Sequence, residues 1–234
     1  MKQTLWLLAL LLVWNPWGAG AQERVRDRAR EALPENVFQG LEALAQEGAR
    51  NGIPTDPLFS KALEGLAKRV PADRILPAVA AYAQRLEEAR GAFGPTGGEP
   101  LIVAGADALQ RGVGVEALRQ LGREGQGGQG QGPGPSPMAV LVLADLVEAG
   151  VPTDRALGVV HEALQQRTRE QEMLGLTGQV RRLMRQGQSP QEAAEQVRRA
   201  LRRGRGGGMS PPVPPGSEPV TSGRRQAGKG KGGG

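Results

Sequence analysis

Cysteine is absent from the 234 residues, and histidine occurs once, at His161. These two gaps remove much of the usual catalytic machinery. Zinc sites built on thiolate and imidazole, Cys–His pairs and Ser–His relays all need residues the chain lacks. Disulfides are excluded too, so the fold must rest on a packed core, which a chain of this length can build. Aromatic residues are nearly as scarce, at 3%. Trp6, Trp14 and Trp17 all lie at the N-terminal end, leaving Phe38, Phe59, Phe93 and Tyr82 for everything after them. The core is therefore expected to be leucine, valine and alanine, which suits close helix–helix packing.

Phosphate and hydrolase motifs are missing as well: there is no Walker A, EF-hand loop, G-x-S-x-G or S-x-x-K pattern. Gly125, Gly127 and Gly130 match G-x-G-x-x-G by letter only. No apolar strand leads into them and prolines follow, so the phosphate-cradling context is absent. His161, beside Val160 at the edge of an apolar stripe, reads as a core-flanking histidine. The carboxylate pairs Asp145 with Glu148 and Glu87 with Glu88 are close in sequence and read as solvated helix faces. No catalytic residue, metal ligand, cofactor or small-molecule substrate is expected.

What the chain does have is a recurring corner. Gly150-Val151-Pro152-Thr153-Asp154 is echoed by Val70-Pro71-Ala72-Asp73 and by Gly52-Ile53-Pro54-Thr55-Asp56. Glycine can end a helix in the left-handed conformation, and proline blocks its continuation. The Val or Ile between them can tuck back onto the turn just left, and Thr and Asp offer oxygens and negative charge to the next helix. Gly112-Val113-Gly114 is the same corner with glycine for proline. Ser189-Pro190-Gln191-Glu192 is a capping box with proline at the first helical position.

Residues 1–21 have the marks of a signal peptide: Lys2, an apolar run from Leu5 to Trp14, and Ala19-Gly20-Ala21 before the expected cleavage. A run of about ten residues is too short to span a bilayer, which takes about 20. Export to the periplasm or medium is the expectation, with no transmembrane segment after cleavage.

From residue 22 onward the apolar spacing is helical throughout. Ten helices are predicted, with apolar lines such as Val37, Phe38, Leu41, Leu44, Ala45 and Ile75, Val79, Tyr82, Leu86, Ala89, Phe93. Pro77 is expected in or near the first turn of its helix. Met138 to Ala149 is apolar almost all round and should be buried on several sides. Residues 22–124 and 138–203 are read as helical hairpins of one array. The Gly/Gln/Pro stretch 125–137 is a flexible insertion with a reach of roughly 20 Å. Residues 204–234 are a disordered Pro/Gly/Arg/Lys tail. The expected fold is all-α, an irregular array of antiparallel helical hairpins, solenoid-like or bundled.

Charge is segregated along this array. Residues 22–177 carry 17 basic and 21 acidic side chains, whereas residues 178–234 carry 12 and 3. Arg181, Arg182, Arg185, Arg198, Arg199, Arg202 and Arg203 recur at helical spacing, and Arg205, Arg224, Arg225, Lys229 and Lys231 continue the field. These twelve are the candidate contacts for a polyanion: nucleic acid, anionic lipid or acidic cell-wall polymer. A solvated helix face is the structural alternative. No aromatic near Arg205 could stack on bases, which weighs against nucleic acid.

Over residues 34–203 the Gly-Val-Pro-x-Asp hairpins resemble small exported all-helical proteins of high-GC bacteria. The shared motif is structural, so the resemblance implies the fold and no activity or site. The expected function is an exported, non-enzymatic scaffold or interaction module whose packed faces meet another envelope protein. A basic tail would tether it to an anionic surface. The alternative is polyanion binding through residues 178–234.

Overall fold

The computed structural model describes residues 16–94, 97–126 and 135–204. These are all-helical, with no strand among the described residues. The helices are α1 (Pro16–Ala32), α2 (Glu35–Arg50), α3 (Asp56–Ala67), α4 (Ala72–Phe93) and α5 (Glu99–Gln110), then α6 (Val115–Gln126), α7 (Pro137–Glu148), α8 (Thr153–Gln165), α9 (Glu170–Arg185) and α10 (Pro190–Gly204). α1 starts upstream of the expected cleavage after Ala21. The apolar run before it, most of the 125–137 stretch and residues 205–234 lie outside the described residues.

Six corners share one hydrogen-bond pattern. At the α2–α3 corner the Ile53 amide donates to the Gly48 carbonyl at 2.9 Å and the Gly52 amide to Ala49 at 3.0 Å. Val70 with Arg69, Val113 with Gly112, Val151 with Gly150, Thr168 with Arg167 and Gln188 with Gly187 repeat the pair. This double closure satisfies orphan carbonyls at the helix end, and it requires a left-handed residue. Glycine supplies it at 52, 112, 150 and 187, whereas Arg69 (φ 57°) and Arg167 (φ 52°) adopt it despite a Cβ. Ile53, Val113 and Val151 are buried, as the corner grammar requires.

The start of the next helix differs from the expectation. Pro71 and Pro152 are themselves the N-cap residues of α4 and α8, extended at φ −52°, ψ 140° and φ −55°, ψ 140°, and neither Asp73 nor Asp154 makes a capping hydrogen bond. Thr55 caps α3 by position only. With proline holding the cap, the aspartates fall inside the first turn, where their charge can favour the helix dipole without a hydrogen bond. Side-chain caps form elsewhere. Ser136 Oγ accepts from the Ala139 amide at 3.2 Å, and Ser189 and Glu192 close the predicted box, the Ser189 amide donating to Glu192 at 3.0 Å. Pro77 sits beyond the first turn of α4, where it forfeits one intrahelical bond.

Packing follows chain order. The substantial contacts join each helix to its neighbour or to the helix two along: α1 with α3, α2 with α4, α4 with α6, α5 with α7, α6 with α8, α7 with α9 and α8 with α10. The contacts of α5 with α7 and of α6 with α8 bridge residues 127–134. The core between them is mostly Leu, Val and Ala, with Leu41, Leu58, Leu86, Leu118, Leu121, Leu143 and Leu146 fully buried. α7 packs on α5, α8 and α9 and buries Ala139, Val140, Val142, Leu143, Ala144 and Leu146, so its all-round apolarity is used. Each Val or Leu so buried contributes about 1.5–3 kcal/mol. α4 and α5 approach closely enough that Gly105 lies against Ala89 and Phe93.

Candidate functional site

Seven of the twelve predicted basic residues fall on described helices, and they divide into two groups. Arg198 donates to Glu195 at 2.9 Å, and Arg202 donates through Nε to Glu162 at 2.5 Å. Glu162 is 5% exposed, the buried end of a pair that ties α8 to α10. Burial alone would raise its carboxyl, but the hydrogen bonds from Arg202 and Gln166 and the charges of Arg202 and Arg198 hold it below the ordinary range. Arg202 therefore fastens α10 to α8, and Arg198 is engaged within α10. Arg181, Arg182, Arg185 and Arg199 are exposed and form no ion pair among the described residues. Arg203 reaches only the Arg199 carbonyl, at 3.4 Å. Arg205, Arg224, Arg225, Lys229 and Lys231 lie outside the described residues.

Of the paired carboxylates, Asp145, Glu148 and Glu87 have partners in the fold, and Glu88 is exposed. Asp145 and Glu148 both face Arg111, at 2.5 and 3.4 Å, which locks the end of α5 to α7. Glu87 accepts from Asn51 at 2.6 Å beside the α2–α3 corner. His161 is half-buried, its Nε2 2.5 Å from the Gln165 amide nitrogen, in an open cleft of about 450 Å³ shared with Glu116, Gln120 and Asp154.

Sequence reasoning missed a second cleft, between α3, α4 and α5. Asp56, Ser60, Lys61, Glu64, Tyr82, Glu99, Val103 and Asp107 line a volume of about 440 Å³. Lys61 donates to Glu64 at 3.0 Å and lies over the Tyr82 ring, 5.6 Å from its centroid. Lys68 bonds the other Glu64 oxygen, and these two lysine hydrogen bonds hold that carboxyl low. Asp107 shows the reverse. Burial pushes its carboxyl up, Lys61 and Arg111 pull the other way without cancelling it, and Glu64 adds to the rise. Tyr82, 5% exposed, is pushed up to about 12 by burial, then by Asp107 and Glu64. Its hydroxyl makes no hydrogen bond among the described residues. In the sequence Tyr82 is one member of a core stripe and Asp107 one acid on an apolar helix, 25 residues apart. Only packing joins them.

Among the described residues no three or more His, Cys, Asp or Glu are grouped to hold a metal ion, and no helix is long and apolar enough to cross a membrane. Leu174, 51% exposed, is the large apolar side chain left to solvent among the described residues. No family model, curated protein or solved structure matches this chain.

Proposed function

We propose that the chain is a non-enzymatic helical scaffold or interaction module, exported after loss of residues 1–21 and working in a bacterial cell envelope. Its architecture on this proposal is an irregular, solenoid-like array of antiparallel hairpins. The observation that carries it is the packing order, in which each helix leans on the next one or two and open clefts lie between the helices. Such stacks present long surfaces rather than one enclosed pocket. Among the described residues Leu174 is the large apolar side chain left exposed, so a partner would be held through side chains along the clefts, among them Asp56, Glu99, Glu116 and Asp154.

The test is affinity capture from envelope extract with the mature chain at two salt concentrations. One stoichiometric partner, weakened but retained at moderate salt, is the expected result; recovery of none, or of a different set each time, counts against the module.

A second function, polyanion binding by residues 178–234, is favoured by Arg181, Arg182 and Arg185, which have no acidic partner among the described residues, and by Arg199, which is exposed and forms no ion pair there. Charge-driven binding of this kind fades steeply with salt.

A further inference from the structure

We propose that the cleft between α3, α4 and α5 receives basic side chains from the chain's own C-terminal segment, residues 205–234, seating a guanidinium or ammonium group between the Asp107 carboxylate and the Tyr82 hydroxyl. This deepens the interaction-module proposal by naming an occupant, and the test lets the two fail separately.

The cleft is built with a charge that its own protein groups leave unmatched. Asp107 sits on α5 among Ile102, Ala104, Ala106 and Ala108, all buried, and is itself half-buried. Two cations lie near enough to influence it, and both are engaged elsewhere. Lys61 is bonded to Glu64 and covers the Tyr82 ring, and Arg111 faces Asp145 and Glu148 across the α5–α7 contact. A carboxylate desolvated without a full partner is costly and is relieved by a cation from outside.

The Tyr82 hydroxyl gives the independent observation. It belongs to a side chain 95% removed from solvent, lines the cleft, and has neither donor nor acceptor. A phenol at such a position can accept from an N–H while its ring stays packed.

The acids do not converge on a point as metal ligands do. Asp56 and Glu99, in the first turns of α3 and α5, stand apart from Asp107 and suit a multi-atom or repeated cation. Pro57 and Val103 offer apolar wall for an alkyl stem.

The occupant follows from charge. Residues 205–234 carry Arg205, Arg224, Arg225, Lys229 and Lys231 against the single acid Glu218, whereas residues 22–177 carry an excess of acids.

The experiment titrates a synthetic peptide of residues 220–232 by calorimetry into two full-length proteins: the natural chain, and one with Arg224→Gln, Arg225→Gln, Lys229→Gln and Lys231→Gln. The neutralised chain is expected to bind at least fivefold more tightly, because its own segment no longer competes. In that background Asp107→Asn weakens binding tenfold or more and Tyr82→Phe about fivefold, while Glu116→Gln in the α6–α8 cleft changes nothing. Thermal melts accompany each variant. Asp107→Asn should melt no lower than its parent, since it removes an uncompensated charge, whereas a structural carboxylate would lose stability. Equal weakening by Asp107→Asn and Glu116→Gln would mean the peptide reads bulk charge, and the assignment falls. It falls equally if the peptide does not bind. In either case an envelope partner retained by the same protein leaves the module proposal standing.

Discussion

Gly150 and Arg167 hold the same backbone conformation at successive corners, with φ of 90° and 52°, and only one of them is chemically suited to it. Gly150→Ala is expected to cost about 1 kcal/mol, since a Cβ resists the left-handed region even though open space surrounds the site. Arg167→Gly relieves that strain and should raise the urea midpoint or leave it unchanged. A fall of 1 kcal/mol or more would mean the arginine side chain matters to the corner. Gly105→Ala tests a different limit. The added carbon would lie 2.8 Å from Ala89 Cβ and 2.7 Å from Phe93 Cε2, so α4 and α5 must part, at about 1–3 kcal/mol. The glycine and proline corners were legible in the sequence because those residues advertise their backbone geometry. The Arg167 corner was not, because arginine carries no such signal. The same limit explains the cap of α8: Thr153-Asp154 after Pro152 looks like a cap by composition, but the proline already occupies the position.

Between elements, one fastening outside the core is Glu162 to Arg202. Arg202→Ala leaves a buried carboxylate with Gln166 as its remaining hydrogen-bond partner, and should cost about 1–3 kcal/mol by denaturant titration. Its pH dependence has a definite sign. Glu162, Glu64 and Glu195 are all held below their ordinary carboxyl value of 4.5, the last by the Arg198 hydrogen bond ahead of a small opposing burial effect. Groups lowered in the folded state give stability that is fully present above the unfolded value and disappears as pH falls through the folded one. The melting temperature should therefore drop as pH falls below about 4.5, and Glu162→Gln should flatten that drop. Asp107 acts in the opposite sense, because its raised carboxyl is relieved by protonation. The helices themselves were readable from apolar spacing, α7 included. Which arginine faces which acid was not, because Glu162 and Arg202 are 40 residues apart and meet only when α10 lies on α8.

At the scale of the whole molecule, packing confined to near neighbours makes the stack sensitive wherever it is thinnest. Leu143→Ala in α7, which touches α5, α8 and α9, should cost about 2–5 kcal/mol. The basic end makes its own prediction. If residues 178–234 bind polyanions, replacing Arg181, Arg182, Arg185 and Arg199 by Gln should shorten retention on an anionic column at low salt and leave the melting temperature unchanged. Unaltered retention would assign those arginines to solvation alone. Charge segregation was visible in the sequence because it needs only counting. Which arginines are spent inside the fold depends on the third dimension, and so does the acidic cleft.

Tyr82 is the chain's single tyrosine, and the tryptophans lie at positions 6, 14 and 17. On the proposed loss of residues 1–21, this phenol is the lone chromophore of its class in the protein. Its delayed ionisation near pH 12 then belongs to one known place, free of overlap from other rings. Nature has thus left a label-free optical gauge inside the acidic cleft, where an arriving cation would shift the near-ultraviolet phenolate titration without any dye or tag.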